Sequence, residues 1–169
     1  MTRIAPSHQR VEPGPGQESV WDYPRPPRIE PSTRHVRVEH GGVVVAESRR
    51  AIRVLETAGA PVWYLPPEDV RTDLLEPAAG ETVCEWKGNA SYFHVRAGDD
   101  LARRAAFTYR APSPGYARIA GYIGFYASRV DRATVDGETV RPQPGGFYAG
   151  WVTDEIVGPI KGEPGSEGW

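Results

Sequence analysis

The sequence predicts a mainly β domain, a compact antiparallel sandwich or barrel-like fold with one or two short helices. Three observations carry that reading. The chain has 19 Gly and 17 Pro in 169 residues, which punctuates it every few residues and leaves no room for long helices. Its apolar stretches are short and alternate with polar residues. Two of its turns, Gly41-Gly42 and Asp136-Gly137, are dipeptides that close hairpins because both positions tolerate φ > 0.

The elements follow in order. Residues 1–19 are polar, carry Pro13-Gly14-Pro15-Gly16 and lack periodicity, so they read as a flexible tail ahead of a single domain over 20–169. Val20 to Arg28 includes Pro24, Pro26 and Pro27, which hold the backbone extended, and Trp21 and Tyr23 anchor that arm to the domain. Val36–His40 alternates as a half-buried strand, and Val43–Glu47 returns from the Gly41-Gly42 turn. Residues 48–56 fit a helix through Ala51, Val54 and Leu55, and a strand through Ile52 and Val54. Val62–Leu65 reads as a strand closed by Pro66-Pro67. Pro67, with Glu68 and Asp69 near the positive end of a dipole, opens a short helix that Leu74 and Leu75 close. Thr82–Trp86 is a strand, Lys87–Ala90 a turn and Ser91–Val95 the partner strand. Ala105–Tyr109, Tyr122–Tyr126 and Val130–Val135 are further strands, and Glu138–Val140 returns from Asp136-Gly137. The total is about seven to nine strands. The end, rich in Gly and Pro from Val157 to Gly165, reads as a segment wrapping the surface.

Whole-chain properties exclude several classes. Lys plus Arg number 20 and Asp plus Glu 22, a net charge of -2, which is not the basic balance of a nucleic-acid binder. Cys84 is the one cysteine, so no internal disulfide and no four-cysteine zinc site can form. A lone thiol suits a reducing compartment. No apolar run approaches the roughly 20 residues of a membrane span, and the start lacks a secretory apolar stretch. The expected protein is soluble and cytoplasmic, with no nucleic-acid or membrane partner. Its oligomeric state is open.

Several stretches carry a resemblance: Trp21…Tyr23-Pro24-Arg25-Pro26-Pro27, Val54-Leu55-Glu56-Thr57, Cys84-Glu85-Trp86-Lys87-Gly88, Pro142 to Tyr148 with Gly150-Trp151, Val157-Gly158-Pro159 and Lys161-Gly162. In this order they resemble domain-of-unknown-function family 427, which also carries a nucleotidyltransferase-like label. The resemblance extends over about residues 20–169. It implies a β-tent-like fold, two small antiparallel sheets meeting at an angle, whose class includes proteins with a cysteine-held zinc and an aromatic cage for a small ligand. The zinc half of that pattern is absent here. Nucleotidyl transfer needs paired acids holding Mg²⁺ beside a phosphate-binding turn, and the sequence shows no such pair. Gly145-Gly146 and Gly158…Lys161-Gly162 match neither phosphate-cradle fingerprint.

The candidate site centres on Gln143–Trp151. Gly145, Gly146 and Gly150 permit a tight turn that brings Phe147, Tyr148 and Trp151 to one place, as a core plug or as a pocket wall. Trp86, Lys87 and Tyr92 are the other ligand-binding candidates, with Glu85, Lys87 or Asp154 at the rim. The catalytic candidates are Cys84, Glu85 and His94, with Glu56 and Asp154 as further acids. On a strand Cys84 and Trp86 share a face opposite Glu85 and Lys87, so Lys87 is placed away from the thiol. His8, His35, His40 and His94 are scattered, and neither a metal site nor a cofactor is expected. Arg25, Arg28, Arg49 and Arg50 could meet an anionic ligand, and more simply read as solvated surface charges. Three functions are compatible: binding of a small planar or nucleotide-like molecule in an aromatic-lined pocket, an enzyme working on a small molecule in the same pocket, and a protein-interaction module using the proline-rich arm and exposed aromatics.

Overall fold

A computed structural model of the chain describes residues 10–166 and 168–169. Its strands, in chain order, are β1 (Glu18–Ser19), β2 (Arg28–Pro31), β3 (Val36–His40), β4 (Val43–Ser48), β5 (Ile52–Leu55), β6 (Val62–Leu65), β7 (Leu75–Cys84), β8 (Gly88–Ala97), β9 (Asp100–Thr108), β10 (Ile123–Phe125), β11 (Arg132–Val135), β12 (Glu138–Thr139), β13 (Arg141–Pro142), β14 (Trp151–Val152) and β15 (Ile156–Val157). Seven of them make one sheet in the order β2-β5-β6-β10-β9-β8-β7. Four make a second sheet, β12-β11-β3-β4, and the short pairs β1-β15 and β13-β14 stitch the ends. All pairs are antiparallel except β1-β15. The helical pieces are 3-10 turns, at Pro67–Asp69 and Thr72–Leu74 among others. The expected mainly β, antiparallel domain is therefore what the chain forms.

Side-chain alternation gives the large sheet two unlike faces. On β6, Trp63 and Leu65 point inward, and Val62 and Tyr64 point outward. Inner-face residues Val95, Ala97, Ala102, Ala106, Ile123 and Phe125 share a core with Val36, Val38, Val45, Ala133 and Val135 of the second sheet. Small residues predominate where β8 and β9 meet that sheet, so the layers approach closely. Trp151 completes this core. It is 1 % exposed, stacks on Trp63 at 6.4 Å between ring centroids, and donates its indole N–H to the Phe125 carbonyl at 2.9 Å. The Gly41-Gly42 hairpin forms as expected, with φ of 58° and 76°. A Cβ on Gly41 would lie 2.1 Å from the Ala97 carbonyl, so this turn also abuts the large sheet.

The arm docks. Val20 and Tyr23 are buried with Leu55 and Ile156, and the Trp21 indole donates to the Pro159 carbonyl at 2.8 Å. Part of the stretch read as a tail, residues 1–9, including His8, lies outside the described residues. From Arg10 on the chain is bonded: Arg10 pairs with Asp22 at 2.9 Å and Glu18 lies opposite Ile156.

One open local reading is settled and two expectations are corrected. Of the two alternatives for residues 48–56, the strand forms, over Ile52–Leu55, buried at every position because both faces of β5 are covered. No helix runs from Pro67 to Leu75: two single turns form, and Leu75 already begins β7. The turn near Lys87 comes earlier than its composition suggests. β7 ends at Cys84, Glu85–Lys87 make the turn, and Gly88, at φ 105°, pairs with Cys84. Strand alternation therefore does not extend to Trp86 and Lys87, and the placement of Lys87 away from the thiol lapses.

Candidate functional site

The outer face of the large sheet is aromatic and open. Tyr64 of β6, Tyr92 of β8, Phe107 of β9, and Tyr109 and Tyr126 just beyond β9 and β10 rise from it. Their rings contact one another edge-on or tilted, with Phe107 central: its centroid lies 5.7 Å from Tyr64, 5.4 Å from Tyr126 and 6.3 Å from Tyr92. Gly124 makes room for that ring. A Cβ there would sit 2.4 Å from the Phe107 Cζ, so the bare backbone of β10 is the seat on which the floor rests.

A pocket of about 240 Å³ opens over these rings. Its opposite wall is the segment Gln143–Ala149, which contributes Phe147 and Tyr148, together with Gly59-Ala60 and Lys161. Gln143 holds this wall in place. Its side-chain oxygen accepts from Ala60 N–H at 3.1 Å, and its amide donates to the Lys161 carbonyl at 2.9 Å. Gly145 (φ 94°) and Gly162 (φ 118°) pass so closely that a Cβ on Gly162 would meet the Pro144 carbonyl at 1.9 Å. The wall is thus fixed at both ends of its turn.

Two cationic side chains line the pocket. Lys87 is only 8 % exposed, its Nζ is 5.6 Å from the Tyr109 ring centroid, and it forms no ion pair with any described carboxylate. Lys161 has its Nζ 5.3 Å from the Tyr148 ring and is likewise unpaired among the described residues. Glu56, the one acid among the described residues that line the pocket, lies 3.9 Å from Arg25. Just outside, guanidinium groups cover two of the tyrosines: Arg104 sits 4.1 Å from the Tyr92 ring centroid and Arg129 4.0 Å from that of Tyr126. Burial raises the phenols of Tyr64 and Tyr109 and pushes that of Tyr126 up to about 12. All three therefore stay protonated at neutral pH, as donors and not as bases.

The structure gathers some of the sequence candidates and separates others. Lys87, Tyr92, Phe147, Tyr148 and Cys84 line the pocket. Trp151 does not: it is the plug between the sheets, so the rings of 147–151 diverge. Phe147, 71 % exposed, sits at the rim, Tyr148 walls the pocket and Trp151 turns inward. Trp86 is half-buried against the outer aromatic cluster without lining the pocket. Among the catalytic candidates Cys84 reaches the pocket, beside Tyr109, and of the further acids Glu56 does. Glu85 is exposed on the turn. His94 accepts from the Arg104 N–H through Nδ1 at 2.9 Å, away from the pocket. Asp154 is exposed and lies 3.2 Å from Arg141. Among the described residues no group of three or more His, Cys, Asp or Glu could hold a metal ion. No helix there is long and apolar enough to cross a membrane.

Tyr64, Phe107, Tyr109, Tyr126 and Lys161 were missed, and Gln143 was placed in the central stretch without a role. The strand alternation of Val62–Leu65 and Ala105–Tyr109 does mark Tyr64, Phe107 and Tyr109 as facing one way. Which way was open, since both faces carry large rings. Gln143 and Lys161 have no local signal; they act through contacts across the chain.

A family model for a domain of unknown function, DUF427, matches residues 28–136, more than half of the chain. That span holds the pocket floor and Lys87, and the wall at 143–149 and Lys161 lie beyond it. No curated protein matches the chain. The chain belongs to the DUF427 family.

Proposed function

We propose that the protein binds a small planar molecule, nucleobase-like in shape, in the pocket on the outer face of its large sheet. The observation that carries this reading is the convergence of seven aromatic rings, Tyr64, Tyr92, Phe107, Tyr109, Tyr126, Phe147 and Tyr148, on one pocket of about 240 Å³. Rings arranged edge-on to one another leave faces and slots against which a flat ligand stacks, and concave apolar sites with a few polar groups are the usual form of small-molecule pockets. The wall fixed by Gln143 makes the site largely pre-formed, which lowers the ordering cost of binding.

Catalysis in the same pocket is the weaker reading: of the sequence-predicted reactive groups only Cys84 and Glu56 line it, Glu56 has Arg25 beside it, and the neighbouring phenol of Tyr109 is a protonated one. A protein-interaction role for the proline-rich arm has less support still, since Trp21 and Tyr23 are used within the chain. The test is a thermal-shift screen of planar against aliphatic metabolites, run on the protein and on Tyr148→Ala. A ligand that binds the folded state raises the melting temperature. Planar compounds should do so for the parent and not for Tyr148→Ala, whose own stability should fall by no more than about 1 kcal/mol. Shifts from aliphatic compounds alone, or equal shifts in the variant, would overturn the reading.

A further inference from the structure

We infer that the pocket's ligand carries an acidic group, a carboxylate or phosphate attached to the planar ring, and that Lys87 and Tyr64 receive it on one side while Lys161 holds it from the opposite wall. This rests on the pocket being a ligand site and specifies what the site selects.

The argument starts from what burial demands. A lysine ammonium removed from water is strongly disfavoured unless an opposite charge or hydrogen-bond acceptors meet it. Lys87 is more than nine-tenths buried, and its Nζ has neither a carboxylate nor a hydrogen-bond acceptor among the described residues. Tyr64 is 1 % exposed, and its hydroxyl likewise has no partner there. Yet no sealed side-chain nitrogen or oxygen among the described residues lacks a bond. Both groups therefore keep an opening, and both line the same pocket. They are donors facing a shared space. Tyr64 remains a donor at any ordinary pH because burial raises its phenol.

The surrounding charges agree. Lys161 is a second ammonium on the opposite wall. Arg104 and Arg129, outside the tyrosines, are also without carboxylate partners among the described residues. Glu56, the acid on the lining, has Arg25 beside it. A chain of net charge -2 thus keeps a local excess of positive charge around one aromatic pocket. Such a field favours anions and raises their rate of entry. A neutral ring would leave the buried ammonium unmet. An anionic ring satisfies the ammonium and the phenol in one step, with charge-assisted bonds that are stronger than neutral ones.

The test uses two acid and neutral pairs, indole-3-acetate with indole-3-acetamide and adenosine 5′-monophosphate with adenosine, titrated calorimetrically into the whole protein. Inorganic phosphate alone serves as a control. In at least one pair the acid should bind at least tenfold tighter than its neutral partner, and raising salt should weaken the acid alone. Which pair shows the preference tells carboxylate from phosphate. Lys87→Met should erase the preference of acid over neutral partner, and Lys161→Met should reduce it. Circular-dichroism melts establish that both variants fold, and the salt series on the parent protein decides the question even if Lys87→Met does not. Equal binding of acid and neutral partners in both pairs overturns the acidic-group proposal and leaves the planar-ligand reading standing. Binding by none of the four compounds overturns both.

Discussion

The two faces of the seven-stranded sheet come from the same strands and differ by a single step of side-chain alternation. The inner face is built from Ala97, Ala102, Ala106, Val95, Ile123 and Phe125, and it is closed by a second sheet and by Trp151. The outer face is built from Tyr64, Phe107, Tyr109 and Tyr92. It is covered in part, by the segment 143–149 with Gly59-Ala60 and Lys161, and by Tyr116 and Ile119 packed against its rings. Small side chains allow two layers to meet without gaps. Large rings held at angles to one another cannot fill space to that density, so a pocket remains between them. Phenol and ammonium groups point where the packing is open. The inner face holds the fold together, and the outer face leaves an open pocket, which the proposed function assigns to a ligand.

Mutations sharpen the contrast. Trp151→Ala, on the inner side, should cost roughly 3–5 kcal/mol and melt the domain well below the parent, as read by circular dichroism. Gly124→Ala comes next. Its Cβ would collide with the Phe107 ring, so the ring must leave its seat, at about 1–3 kcal/mol with loss of ligand response. Retained stability with retained binding in that variant would mean the ring is not fixed by the bare backbone.

A pH ramp separates the phenols. Tyr64, Tyr109 and Tyr126 hold their protons in the fold above the ordinary value of 10.0 and release them near it once unfolded. The contribution of Tyr126 is fully present below pH 10 and is lost as pH rises through about 12, and those of Tyr64 and Tyr109, raised in the same direction, are likewise lost only on the alkaline side. Phenolate absorbance should therefore rise in two stages: exposed tyrosines first, then the pocket tyrosines together with unfolding. A single early rise with the fold intact would contradict their burial. Phe147→Ala should have the smallest effect, within about 0.5 kcal/mol, because the ring stands at the rim and is largely exposed.

Legibility in the sequence followed the range of the interactions involved. The hairpins at Gly41-Gly42 and Asp136-Gly137 and the strand Val62–Leu65 were readable because turn chemistry and alternation are local. β5 was ambiguous because coverage of both its faces removes the alternation that marks a strand. The pocket was half readable. Lys87, Tyr92, Tyr148 and Cys84 were named, but Trp151 was grouped with its chain neighbours although the backbone turns it into the core. Tyr64, Lys161 and Gln143 gain their roles from partners far along the chain. Ala60 and Lys161, which Gln143 joins, are 101 positions apart by their numbering.

The most direct measurement is a titration of the protein with indole-3-acetate, followed by nuclear magnetic resonance of backbone amides and aromatic side chains. The account predicts saturable shifts concentrated at Tyr64, Lys87, Tyr92, Phe107, Tyr148 and Lys161, with Val38, Val45 and Trp151 unmoved. Shifts centred on the inner face, or spread evenly over both faces, would contradict it.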